Sequence, residues 1–210
     1  MNRVAAIFDV DQTLVQGYTE RLFFRYLIRS GLVSMPQALQ FLGHLAWRPQ
    51  DRFQDKSYLS GLDVTQVLRL ARQCYQEEIS PRVSIQGLDC IIDHQAQGHA
   101  VVLLTGSLSF LLLPLQEELA ADFLIATELR RDNGKFTGEI AGLQPRGENK
   151  LQLLLELSRQ HGLDLAQSYA YGDHMQDLHL LRKIGYPVAV NPSWRLKRQA
   201  RRHHWPICYF

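Results

Sequence analysis

Apolar residues along this chain occur in two patterns, short unbroken runs and helically spaced faces, and their alternation predicts the fold class. Arg3 to Phe8 is a short apolar run with β-branched Val4 and Ile7, and it stops at Asp9. It reads as a buried strand. Similar runs recur at Ala100 to Leu104, Phe123 to Ala126, Tyr169 to Tyr171 and Pro187 to Val190. Between Val83 and Gln97, the positions Ile85, Leu88, Ile91, Ile92 and Ala96 follow helical spacing, with Gly98 where a helix would end. Lys150 to His161 repeats the arrangement, with Leu151, Leu154, Leu155 and Leu157 apolar and Gly162 as the stop. Strands alternating with helices imply a parallel α/β sheet.

Two stretches depart from the alternation. From about Gln16 to Ser80 the strand pattern disappears. Leu22, Phe23, Tyr26 and Leu27, then Ala38, Leu39, Leu42 and Leu45, then Val67, Leu68, Ala71 and Tyr75 are spaced as helical faces. Asp63 with Gln66 resembles a capping box. An all-helical insertion after the first strand is expected. From Thr127 to Ile140, Asp132-Asn133-Gly134 lies between two alternating stretches and supplies the positive backbone angles of a hairpin turn. No internal repeat or low-complexity segment is visible.

Composition adds bounds rather than a function. With 210 residues, 46% of them hydrophobic, the chain can bury one sizeable core with room for an insertion. A net charge of +2 demands no polyanionic partner. The basic residues Arg195, Lys197, Arg198, Arg201 and Arg202 read as the solvated face of a last helix. Cys74, Cys90 and Cys208 form no C-x-x-C pair and read as free thiols. Met1 to Asp9 lacks the apolar stretch of a signal peptide, and runs such as Leu108 to Leu115 are too short to span a bilayer. A cytoplasmic protein without nucleic-acid or membrane partners is expected.

The chemistry starts at Phe8-Asp9-Val10-Asp11-Gln12-Thr13-Leu14, two acids two residues apart at the carboxyl end of a strand. Ligands of open α/β sheets gather at that edge. Alone, such a pair is compatible with a turn that caps the next helix. Thr105-Gly106-Ser107 closes a second strand, where main-chain amides can approach a phosphate oxygen. Gly172-Asp173-His174-Met175-Gln176-Asp177 puts two more acids after a third strand, either of which could also serve a helix start. Lys150 opens a helix. His174 fits a surface or supporting role.

Together these segments resemble the four motifs of the haloacid dehalogenase superfamily: D-x-D-x-T at Asp9 to Thr13, an apolar run ending in Thr105, Lys150, and G-D-x-x-x-D at Gly172 to Asp177. Gly138 through Lys150 resembles the family's phosphoserine-phosphatase-like branch. The resemblance implies a three-layer α/β/α, Rossmann-like core with a parallel sheet, from 1–15 and 81–210, and an inserted all-helical cap, 16–80. It implies a magnesium-dependent phosphatase acting on a small phosphorylated metabolite. Asp9 would be the nucleophile that forms an aspartyl-phosphate, and Asp11 the general acid and base. Magnesium would be held by the carboxylates of Asp9 and Asp173 and the main-chain carbonyl of Asp11. Lys150 would supply further positive charge, Asp177 would hold Lys150, and Thr105, Gly106 and Ser107 would bind phosphate oxygens.

Where phosphoserine phosphatases carry a glutamate after the first motif, this chain has Tyr18, with Glu20 two positions further on. The substrate is therefore left open between phosphoserine, histidinol phosphate and other monoesters. Tyr18, Arg48 and Arg52 are candidate cap contacts. A phosphotransferase or mutase with the same acids, and a non-catalytic phosphate-binding protein, are the rival readings. The oligomeric state is not legible.

Overall fold

The computed structural model describes residues 3–47 and 55–210, with side chains placed throughout except those of 44–47. The predicted run at the start forms β1, Ala5–Phe8, fully buried. Its pleat alternates as a two-sided strand must. Ala6 and Phe8 join one apolar cluster, and Ala5 and Ile7 join the other.

The other strands are β2, Ala100–Leu108; β3, Phe123–Asp132; β4, Lys135–Ala141; β5, Tyr169–Gly172; β6, Tyr186–Val190; and β7, Ile207–Cys208. They form one sheet ordered β4-β3-β2-β1-β5-β6-β7. All pairings are parallel except β3 with β4. The chain leaves β1 for β2 on one side and later reaches β5 on the other. That change of direction opens a crevice at the carboxyl ends of β1, β2 and β5.

One face of the sheet is covered by α4, Ile85–Ala96, and α5, Ser109–Glu118, together with the helices that follow β1. The other carries α6, Glu148–His161; α7, Leu178–Leu181; and α8, Trp194–Arg202. This is the expected three-layer α/β/α arrangement. Gly162 takes the left-handed conformation that ends α6 (φ 63°), as its position predicted. Arg195, Arg198, Arg201 and Arg202 are exposed on α8, while Lys197 is partly covered. The three cysteines are free.

Residues after β1 are helical: α1, Thr19–Arg29; α2, Met35–Trp47; a short turn at Ser57–Leu59; and α3, Val64–Cys74. Asp63 caps α3 by accepting from the Gln66 amide at 2.9 Å. The α3 helix then widens into a π turn over Tyr75–Ile79. Arg48 and Arg52 lie outside the described residues.

Three details depart from expectation. The second strand, read from the apolar run as Ala100 to Leu104, runs on through Thr105-Gly106-Ser107 to Leu108. In α4, Ile85 and Ile92 are exposed, and the inward face is carried by Gly87, Ile91 and His94. His94 is accommodated inside because its ring nitrogens meet Tyr171 Oη and His99 Nδ1, each at 2.8 Å. Finally, the hairpin formed by β3 and β4 grips the insertion. Gly61 and Val64 amides donate to Phe136 and Gly134 carbonyls, and the Phe136 amide donates back to Leu62. Gly138 allows that approach, since a Cβ there would lie 3.1 Å from Ser60 Cβ and 3.2 Å from Ser57 Cα.

Candidate active site

Asp9 follows directly on β1, so the buried strand fixes its backbone, and its amide donates to the Tyr171 carbonyl on β5. The turn after it is drawn tight by Gln12, which adopts a left-handed φ of 66°. Asn191, beyond β6, donates its side-chain amide to the Gln12 carbonyl at 3.1 Å. Both ties reach the first-motif loop from the β5–β6 side of β1.

The Lys150 ammonium, only 4% exposed, sits between two carboxylates. It donates to Asp9 Oδ1 at 2.5 Å and Asp177 Oδ1 at 2.7 Å. Burial alone would lower its pKa, but Asp177 and Asp9 outweigh that and hold it above the usual lysine range. The second Asp177 oxygen accepts from the His174 amide at 3.2 Å. Asp9 Oδ2 meets the Thr13 hydroxyl at a long 3.4 Å. Asp11 turns the other way, accepting from the Thr19 amide at 2.9 Å and from Ser107 Oγ at 2.6 Å. Ser107 in turn accepts from the Thr19 hydroxyl at 2.9 Å, and its amide donates to Thr105 Oγ1.

Carboxylate oxygens of Asp9, Asp173 and Asp177 lie within 4.8 Å of one another. Burial pushes Asp9 up to about 7, with Lys150 opposing and Asp177 and Asp11 adding to the rise. Burial, then Asp9 and Asp177, push Asp173 up to about 8. Two buried acids, Asp9 and Asp177, share the one ammonium, and half-buried Asp173 stands beside them. The donor set is all oxygen and carries excess negative charge, which fits a hard divalent cation such as magnesium.

These residues open on a cleft of about 800 Å³ that also reaches Thr105, Gly106, Ser107 and the insertion. Tyr18 lines it, with Arg21 stacked over its ring at 4.4 Å. His174 lies exposed at its edge. Two features of the cleft were missed from sequence, Arg146 and the pairing of Glu20 with Lys56. Arg146 lines the cleft, bonds Gln176 Oε1 at 2.7 Å, and passes so near Gly106 that a Cβ there would lie 3.0 Å from its Cγ. Its position four residues before Lys150 was the available signal. Glu20 also lines the cleft, yet it is bound by Lys56, whose approach no local pattern announces.

Comparison with known proteins decides the family. The model of haloacid dehalogenase-like hydrolases matches residues 6–182. The chain belongs to this hydrolase family. A Mycobacterium tuberculosis protein named a probable phosphatase is 30% identical to this hydrolase, over 99% of this chain and 76% of the relative. A Neisseria meningitidis histidinol-phosphatase is 26% identical, covering 98% of both chains. A phosphoserine phosphatase solved as a phospho-aspartyl intermediate analogue shares the fold, with a TM-score of 0.70 at 20% identity, over all of this chain and 94% of that one.

Proposed function

We propose that this hydrolase is a magnesium-dependent phosphatase that cleaves a small phosphomonoester by way of a phosphoryl group carried on Asp9. The observation that carries the reading is the meeting of Asp9, Asp11, Lys150, Asp173 and Asp177 around one cleft at the sheet's carboxyl edge. Relatives named as phosphatases support it.

Asp9, Asp173 and the Asp11 main-chain carbonyl would hold a magnesium ion, which would supply positive charge against the repulsion between a carboxylate and a phosphate dianion. Lys150 adds a second positive charge and fixes Asp9 Oδ1, leaving Oδ2 to attack phosphorus. Asp177 keeps Lys150 in place. As the ester P–O bond breaks, Asp11 gives its proton to the departing oxygen. In the second step Asp11 takes a proton from water, the water oxygen bonds to phosphorus, and the Asp9 carboxylate leaves with inorganic phosphate as the product. Ser107 and the Thr19 amide hold Asp11 in one orientation between the steps. Thr105 and the amides at Gly106 and Ser107 bind non-bridging oxygens, and Arg146 reaches the same end of the cleft. Residues 16–80 act as the cap, with 1–15 and 81–210 as the core.

Hydrolysis of an aryl phosphate by the purified protein with magnesium tests this reading. Activity should disappear on chelation and in Asp9→Asn, and mass spectrometry of trapped enzyme should place the phosphoryl adduct on Asp9. An adduct on Asp11, or activity surviving chelation with metal shown to be absent, would reverse it.

A further inference from the structure

Part of the cleft wall is built from aromatic rings. Phe24 on α1, Phe41 on α2 and Tyr58 in the turn after α2 lean on one another with centroids 5.0 to 5.2 Å apart. Ile28 and Leu42 extend that surface, and Leu42 is left 49% exposed. Apolar surface of this kind inside a cleft is costly in water and marks a place where an apolar group is bound.

The acids at this wall are already engaged. Lys56, 1% exposed, donates to both Glu20 oxygens at 2.6 and 2.7 Å, and Tyr58 Oη donates to Oε1 at 3.1 Å. Asp55 accepts from the Ser57 amide at 2.8 Å. A carboxylate satisfied by an internal ammonium and a hydroxyl has little left for an ammonium on a substrate. Arg21 and Arg25 also line the cleft, and Arg21 is stacked on Tyr18.

Building on the phosphatase reading above, we propose that the leaving group of the natural ester is an apolar chain or ring that lies against Phe24, Phe41 and Tyr58. The substrate class is then an alkyl or arylalkyl monophosphate, not an amino-alcohol phosphate. Full burial of a methylene corresponds to about fourfold in binding, and a cleft open on one side lowers that to about two- to fourfold.

The test uses the full chain with magnesium and the n-alkyl monophosphates from ethyl to hexyl, with phenethyl phosphate as the ring arm. Phosphoserine and a carboxyalkyl phosphate serve as polar comparators. kcat/KM should rise by about two- to fourfold per methylene, at least about 15-fold from ethyl to hexyl, and hexyl phosphate should outrun both comparators. Phe41→Ala should lower the hexyl-to-ethyl ratio about tenfold, and Leu42→Ser, at an exposed position, about threefold. Leu113→Ala, exposed on α5 away from the cleft, should keep the wild-type ratio.

Calorimetry with alkylphosphonates of the same lengths reads the wall without turnover. A flat series of affinities, or preference for the ammonium- or carboxylate-bearing ester, overturns the apolar assignment. Rising phosphonate affinity with no ester hydrolysed would instead overturn the phosphatase reading and leave the wall standing.

Discussion

Replacing Lys56 with methionine isolates the ion pair behind the aromatic wall. The ammonium is 1% exposed and lies within hydrogen-bond distance of both Glu20 oxygens. Removing one partner of a fully buried pair costs about 3–5 kcal/mol, because the other charge is left without compensation. The Glu20 side chain is 25% exposed, so water and Tyr58 recover part of that, and Lys56→Met should cost about 2–3 kcal/mol. For a chain of this size that is a fall in Tm of roughly 5–10 °C. The double variant Glu20→Gln/Lys56→Met removes the stranded charge and should regain at least about 1.5 kcal/mol relative to Lys56→Met. Urea unfolding followed by circular dichroism gives both numbers, with an unchanged m-value confirming a comparable unfolded state. A Lys56→Met cost below about 0.5 kcal/mol would show the pair behaving as an ordinary surface bridge. A double variant no more stable than the single one would equally refute the stranded-charge reasoning.

Three further expectations concern the core. Asp11→Asn should lower kcat about 10²- to 10⁴-fold for alkyl esters but less than about tenfold for p-nitrophenyl phosphate, whose leaving oxygen needs little protonation; equal losses would remove the proton-transfer role. In Gly172→Ala the added Cβ would sit 2.9 Å from Asp177 side-chain atoms that Lys150 and the His174 amide hold in place, so kcat should fall about 100-fold with native circular dichroism. An undiminished rate would mean that Asp177 yields freely. Burial, helped by His99, lowers the His94 pKa from 6.5 to about 4, with only Asp93 opposing. The unfolded chain therefore binds the extra proton between those values, and the contribution is complete above about pH 6.5 and is lost as pH falls towards 4. Wild type should lose roughly 2–3 kcal/mol more than His94→Gln between pH 7.5 and 4.5 in urea titrations, and parallel curves would contradict this.

Much of the core was legible because strand ends and chemistry coincide in this fold. Apolar runs that stop at Asp9, Thr105 and just before Asp173 mark both the sheet and the edge where the cleft opens, and Asn133-Gly134 marked the hairpin through its demand for positive φ. Other features depend on contacts between distant segments. Thr105-Gly106-Ser107 has the residue types of a turn, yet it forms an irregular stretch between the Leu104–Ile125 and Leu108–Thr127 pairings, which carry the strand on to Leu108. Ile85 and Ile92 fit a helical apolar face but point to solvent, because His94 finds partners on α4's inner side. Glu20 was noted only as displaced from an expected position. Its meaning comes from Lys56, a residue 36 positions away that sits just before the turn at Ser57–Leu59. The hairpin's grip on residues 61–64 is made by main-chain groups, which residue type scarcely encodes.

The strand order has a consequence for the chain as it is made. β1 lies between β2 and β5, and its edges are completed only by Ala100–Leu103 on one side and Tyr169–Tyr171 on the other. At ribosomal rates the first of those partners emerges about 5–20 s after β1, and the second later still. Through that interval Ala5–Phe8 is an apolar strand with two open edges, the kind of segment that recruits chaperones or pairs with a neighbouring nascent chain. Asp9 and Asp11 are thus synthesised early but acquire Lys150, Asp173 and the Asn191 brace only when translation is nearly past α8.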